Sequence, residues 1–324
     1  MQGAVMMACG QVYYPYSQWL KARYGQKVYK IPVNLAGTCP NRDGTLGTGG
    51  CIFCGACGGS AESLSGIMPV REQIEKNKAY MGSRYHAGRF IPFLQNFTNT
   101  YMDLASFKSI VGACAEGDDV VGVAISTRPD CVTDAQLAFL KELQGQRGLD
   151  VCVELGLQTA NYKTLARLGR QHGLGDYVDA ARRIKDHGFQ LCTHTILDLP
   201  WDDLVDVAET AAIVSGAGSD FVKCHSLYIE RGTRLADSYE KGEIRLLDAE
   251  AYIERAILFL SHLAPDVAVQ RIIGRAPASD TVVANWHTSW WKIRDTLIQR
   301  MTEQDICQGK AYLAKRALLE TAMA

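Results

Sequence analysis

VYKIPVNLAGTCPNRDGTLGTGGCIFC, residues 28–54, changes character at Ala36. Val28–Leu35 reads as an extended strand. From Ala36 to Ser60 the chain is a glycine- and cysteine-rich loop, in which Cys39, Cys51 and Cys54 follow a Cys-x11-Cys-x2-Cys spacing. Soft thiolate ligands on a loop suit iron–sulfur clusters or zinc. Glycines at 37, 44, 47, 49, 50, 55, 58 and 59 let the backbone curl and turn N–H groups toward sulfur. Three thiolates on a four-iron cluster leave one iron open, where the amine and carboxylate of an amino acid can chelate.

Outward from this loop, strands alternate with helices. Helix is expected at Pro69–Ser83, with proline suited to the first turn, and around Asp103–Ala115, Thr133–Leu143, Asp176–His187, Asp202–Ser215 and Ala249–Leu263. Strands are expected at Phe90–Phe97, Val120–Ser126, Val151–Leu157, Leu191–Leu197 and Phe221–Tyr228. Tyr177, Ala180, Ala181 and Ile184 fall on one helical face, and Gly188 is placed to end that helix. Six successive β–α units argue for an α/β fold with a parallel sheet, doubly wound or closed toward a barrel. In both, ligands sit at the carboxyl ends of the strands. Residues 1–264 read as this domain with its amino-terminal segment, and 265–324 as a C-terminal α/β extension holding Val267–Ile273 and a helix near Trp290–Met301.

The chain has 324 residues, 47% hydrophobic and 21% charged, with a formal net charge of −1. No global field recruits nucleic acid or an anionic membrane. No stretch approaches the roughly 18 apolar residues of a membrane span, and the first residues lack the charged and apolar regions of a signal peptide. A cytoplasmic location is expected. There, eleven cysteines point to metal or redox chemistry rather than to disulfides. The scattered ones read mostly as small buried hydrophobes.

A zinc site needs four ligands, commonly as two separated pairs. A bacterial ferredoxin run ends in Cys-Pro, whereas here Cys-Pro is Cys39–Pro40. Cys57 is either a fourth ligand, which would close the cluster and make it an electron carrier, or a spare thiol.

Residues 24–54 resemble the opening of the YhcC-like radical S-adenosylmethionine (SAM) proteins, relatives of the Elongator radical domain and of oxygen-independent coproporphyrinogen oxidase. The resemblance continues through FTNTY (97–101), STRPDC (126–131), VELGLQTA (153–160), the Gly-Arg-x-His of 169–172, HTILDLP (194–200), KCHSLYIERGT (223–233), QRIIG (270–274) and QGK (308–310). It implies a partial (β/α)6 barrel, a [4Fe–4S] cluster on Cys39, Cys51 and Cys54, and SAM as cofactor. It also implies an electron donor such as flavodoxin or ferredoxin. The expected reaction is reductive cleavage of the cofactor to a 5′-deoxyadenosyl radical, which takes hydrogen from a substrate, with water and oxygen excluded.

The resemblance and the strand ends together nominate further residues. Phe53 resembles the aromatic that packs on adenine; loop packing is the alternative. Thr98 and Asn99 stand where related proteins carry a Gly-Gly-Glu segment for the methionyl amine, without its glycines or glutamate. Arg128 is a natural carboxylate clamp or else the partner of Asp130. Glu154, on an apolar strand, needs a partner or a cavity. Glu154 and Gln158 are candidates for the ribose or methionyl groups. Arg170 resembles an arginine that meets the cofactor carboxylate, with His172 in the same turn. His194 and His225 are candidates for contact with substrate, and Lys223 alternates with His225 on its strand. Asp198 and Trp201–Asp202 depart from the glycines and glutamate of the family near the adenine strand. An RNA substrate would use the basic run Lys21, Arg23, Lys27 and Lys30 as its footprint, although such runs are often merely solvated. The competing reading is a non-enzymatic iron–sulfur or zinc protein with Cys57 as fourth ligand. No GxSxG, phosphate-cradling or dinucleotide motif supports a hydrolase or dehydrogenase.

Overall fold

A computed structural model describes residues 11–56, 58, 64–274 and 281–323. In chain order the elements are α1 (Tyr16–Tyr24), β1 (Val28–Val33), α2 (Val70–Tyr85), β2 (Arg89–Leu94), α3 (Leu104–Cys114), β3 (Gly122–Thr127), α4 (Asp134–Arg147), β4 (Asp150–Gln158), α5 (Tyr162–Arg167), α6 (Leu174–Asp186) and β5 (Gln190–Ile196). Then come α7 (Leu204–Gly216), β6 (Phe221–His225), β7 (Ile229–Glu230), α8 (Arg234–Glu240), α9 (Ala249–His262), β8 (Ala268–Arg271), β9 (Thr281–Val283), α10 (Trp290–Glu303) and α11 (Lys310–Met323).

The fold is α/β. Seven strands form one sheet in the order β1-β2-β3-β4-β5-β6-β8, and β7 pairs with β9 in a small second sheet. The β1/β2, β2/β3, β3/β4 and β6/β8 ladders are parallel. Six consecutive strands in chain order, each followed by helix, are the topology expected of the partial (β/α)6 barrel. The segment after 264 adds β8 to the sheet and contributes α10 and α11. No helix of the described residues is long and apolar enough to cross a membrane.

The chain forms two compact units, and β5 begins in one and ends in the other. The first comprises Leu20–Leu157 and Gly169–Cys192. Its strands are apolar on both faces, as parallel strands covered by helices must be. Ile31, Val33, Val151 and Leu155 are fully buried, together with Phe107 and Val111 of α3 and Tyr177, Ala180, Ala181 and Ile184 of α6. Helix α4 begins with a capping box, Thr133 and Gln136 each bonding the other's backbone N–H. Left-handed Gly148 ends it.

The second unit contains residues up to Trp19, Gln158–Leu168 and Thr193 onward. Phe221, Tyr252, Phe259, Leu297 and Met301 form its core. Gln308, buried, accepts from Tyr14 N–H and donates to the carbonyls of Ala264 and Val267, which ties the C-terminal segment to this core. Among the described cysteines none is disulfide-bonded. Cys114, Cys152, Cys192 and Cys224 are buried, while Cys131 and Cys307 are partly exposed.

Three strands end two or more residues earlier than the sequence suggests, and at two of them a side chain takes over from the ladder. Beyond Val33, the N–H groups of Asn34 and Leu35 go to the side chains of Gln73 and Asn96. Beyond Leu94, Phe97 turns to φ 52°. Beyond His225, the N–H of Leu227 goes to Asp198. Helices α1, α5, α8 and α11 carried no clear signal. α5 and α8 are short helices of under two turns capped by Asn161 and Thr233, and α11 buries none of its residues.

Candidate active site

The eleven residues between Cys39 and Cys51 fold back on themselves. The N–H groups of Leu46 and Gly47 meet the Pro40 carbonyl, Gly44 N–H meets Gly47, and Gly50 N–H meets Asn41. Asp43 and Thr48 form an antiparallel bridge. The long spacing is thereby spent on a closed lobe that returns Cys51 to the neighbourhood of Cys39. Cys54 follows one turn later, its N–H on the Cys51 carbonyl. Burial pushes the Cys54 thiol above its usual range, and the negative charge of Cys51 and Cys39 adds to this, against Arg42. The three thiols therefore share one electrostatic environment. Cys57, the alternative fourth ligand, lies outside the described residues.

Two of the three cysteines have a guanidinium on the sulfur. Arg170 Nη1 donates to Cys51 Sγ at 3.3 Å. Arg42 Nη2 approaches Cys54 Sγ at 3.6 Å and donates to the carbonyls of Cys54 and Gly55. Arg128 lies within electrostatic range of Cys39. Asn41 adds an amide, its Nδ2 placed 3.5 Å from Cys51 Sγ and 2.6 Å from the Gly169 carbonyl. Asn41 and Arg42 did not stand out in the sequence. Their only signal is that they lie inside the cysteine spacing.

The electrostatics of the three arginines differ. Arg128 is forked onto Asp130 at 2.9 and 2.7 Å, so its charge is compensated. Arg170 also donates from Nη2 to the Gly156 carbonyl and from Nε to His172 Nε2. Burial first, then Arg170 and Arg128, push the His172 imidazole down to about 2. His172 is therefore a neutral acceptor for Arg170.

The other nominated residues fall into place unevenly. Asn99 is committed to the fold, with Nδ2 on the carbonyls of Leu94 and Ser126. Thr98 Oγ1 and Arg128 Nη1 are buried and have no hydrogen-bond partner, as is Arg42 Nε. Buried donors without acceptors are costly, and a site that collects three of them is built for a polar group. With three thiols alongside, these residues fit an anionic cluster and a cofactor bearing a carboxylate and an amine. Glu154, fully buried, forms an ion pair with Lys30 across the sheet. Lys30 also lies over the Phe93 ring, 4.2 Å from its centroid. It is therefore no part of an exposed basic run, and Arg23 forks onto Asp150. Phe53 is half-buried. Beside the loop opens a cavity of about 720 Å³, lined by Pro40, Leu46, Tyr101, Met102, Cys131 and Gln136 among others. Its size suits a small ligand.

In the second unit, Gln158 ends β4 at φ 75°, a left-handed turn that a glutamine adopts at some cost. His194 and His225 stack, with ring centroids 5.4 Å apart. A side chain at Gly274 would stand 3.3 Å from His225 Nδ1. Asp198 is fully buried and accepts from Leu227 N–H at 2.7 Å. Burial raises its carboxyl to about 7 against the opposing pull of that N–H and of Arg255. Arg255 clamps the turn after β5 through the carbonyls of Leu197, Leu199 and Asp202.

Comparison with known proteins points the same way. A model of the Radical SAM superfamily matches residues 34–212, and one of the Radical SAM C-terminal domain matches 219–303. The chain is 31% identical to the protein YtqA of Bacillus subtilis over 300 residues, 93% of this chain and 92% of YtqA. It is 33% identical to YhcC of Escherichia coli K12 over 292 residues, 90% and 93% of the two chains. Among solved structures it resembles Elp3 of Methanocaldococcus infernus with a TM-score of 0.65 at 17% identity, over 87% of this chain and 64% of that one.

Proposed function

The chain belongs to the Radical SAM superfamily, enzymes that use a [4Fe–4S] cluster and S-adenosylmethionine, and from that premise we propose that Cys39, Cys51 and Cys54 hold the cluster and leave one iron for the cofactor. When bound, the two groups supply one-electron cleavage of the sulfonium C–S bond and a radical that takes hydrogen from the substrate. The protein binds, orients and shields. A single observation carries the assignment: a closed eleven-residue lobe brings the three thiols into one environment, and guanidinium groups stand on Cys51 and Cys54.

Arg128 Nη1 and Thr98 Oγ1 are the groups for the methionyl end of the cofactor. Asp130 fixes the Arg128 plane, which leaves the buried Nη1 as the available donor. Phe53 is the group for the adenine, and Glu154 and Gln158 for the ribose or methionyl atoms. Glu154 reaches that role as half of an ion pair, so Lys30 sets its position. Arg170 stands on Cys51 and therefore serves the cluster before any carboxylate. His194 and His225 are the groups for the substrate. The electron enters from a separate reductant of the flavodoxin or ferredoxin kind.

The test is anaerobic reconstitution with iron and sulfide, reduction, addition of S-adenosylmethionine, and chromatography for 5′-deoxyadenosine, with Cys54→Ala as control. Product from the wild type and none from the variant is expected. A reduced cluster whose electron paramagnetic resonance spectrum ignores the added cofactor would overturn the assignment and leave an electron carrier.

A further inference from the structure

Resting on the cluster assignment above, we propose that Arg42 is a positioning residue that sets the reduction potential of the cluster, by holding an uncompensated positive charge against Cys54.

Among the described residues, every group that fixes Arg42 apart from the Cys54 sulfur is neutral, so no countercharge is spent on it there. Nη2 donates to the carbonyls of Cys54 and Gly55 at 2.8 and 2.5 Å. The guanidinium lies over the Phe97 ring, 5.2 Å from its centroid. No carboxylate among the described residues pairs with it. Its neighbour Asp43 accepts from Thr45 N–H. Arg128, by contrast, spends its charge on Asp130.

The surrounding backbone is shaped for this side chain. Gly50 sits at φ 78°, and a Cβ there would come within 2.9 Å of Arg42 Nε. Gly58 sits at φ 61°, and a Cβ there would come within 2.7 Å of the Phe97 ring on which Arg42 rests. Phe97 itself takes φ 52°. Two glycines and a strained phenylalanine thus clear one slot, and Arg42 fills it. Its Nε is buried without a hydrogen-bond partner.

The consequence follows from charge. Reduction adds an electron to an already anionic cluster. A cation fixed nearby stabilises the reduced form more than the oxidised one, and hydrogen bonds to cluster sulfurs act in the same direction. Arg42 therefore makes the cluster easier to reduce. The effect is electrostatic, so a lysine that keeps the charge retains part of it, and a neutral glutamine loses it.

The experiment is a potentiometric titration of the reconstituted full chain, followed by the electron paramagnetic resonance signal of the reduced cluster, for wild type, Arg42→Gln and Arg42→Lys. The midpoint comes from the potential dependence of the signal and not from its size, so incomplete loading of a variant leaves the reading intact. At the wild-type midpoint, Arg42→Gln is expected to lower the reduced-to-oxidised ratio about tenfold, a shift of about 59 mV for one electron. Arg42→Lys is expected to fall between the two. Equal midpoints for wild type and Arg42→Gln would overturn the proposal. So would loss of all cluster from both variants, which would make Arg42 a strut of the loop and nothing more. A wild-type chain that takes up no iron would instead overturn the functional assignment.

Discussion

Replacing Lys30 by methionine removes the ammonium that neutralises Glu154. The carboxylate is fully buried and the lysine side chain is 15% exposed, so water is a poor substitute for the lost partner. Removing one member of such a buried pair costs about 3–5 kcal/mol, because a charge stays behind in a medium of low dielectric. At about 2.1 cal/mol/K of unfolding entropy per residue, a chain of this length that unfolds as one changes its melting temperature by roughly 4–7 °C. The same reasoning gives the second half of the prediction. Lys30→Met combined with Glu154→Leu removes both charges, and apolar replacement of a buried pair is close to neutral. The double variant should therefore recover more than half of the loss. Circular dichroism melts of the cluster-free protein, under reducing conditions, read both. A single variant within 1 °C of wild type, or a double variant as unstable as the single, would refute the view that this pair is buried and mutually dependent.

Gly50→Ala should lower the iron retained after gel filtration several-fold with helix content unchanged, since its φ of 78° costs a side chain about 1–2 kcal/mol and the methyl displaces Arg42. Gly37→Ala, with nothing within 4 Å, is the control that should keep its iron. Asp198→Asn should flatten the acid side of the stability profile. The folded carboxyl titrates near 7, above its ordinary unfolded value, so between about pH 4 and 7 the native state holds a proton that the unfolded chain has released. Wild-type stability from this group is greatest below pH 4 and falls by up to about 4 kcal/mol on the way to pH 7. The asparagine keeps an oxygen for Leu227 N–H and has no charge to bury, so urea titrations should find the variant the more stable at pH 8 and its advantage shrinking toward pH 5. A constant difference across that range would count against the raised carboxyl.

Much of this protein is determined by local sequence. The alternation of apolar runs with helical patterns is enough to specify six parallel βα units, because strands covered on both faces must be apolar throughout and helices must show one apolar stripe. The cysteine spacing, set in glycines after the first strand, marks the loop and its chemistry for the same reason. What tertiary structure alone decides is which charge stands against which. Arg170 is 119 residues from Cys51, and Lys30 is 124 residues from Glu154. Lys30 looks from the sequence like one of four surface cations, and only the pairing of strands shows that it faces a buried carboxylate. Arg42 lies inside the cysteine motif, yet nothing local distinguishes a solvated arginine from one wedged between the Phe97 ring and Cys54. Burial and countercharge are properties of the neighbours a fold brings in, and it is those neighbours that turn two ordinary arginines into the electrostatic lining of the site.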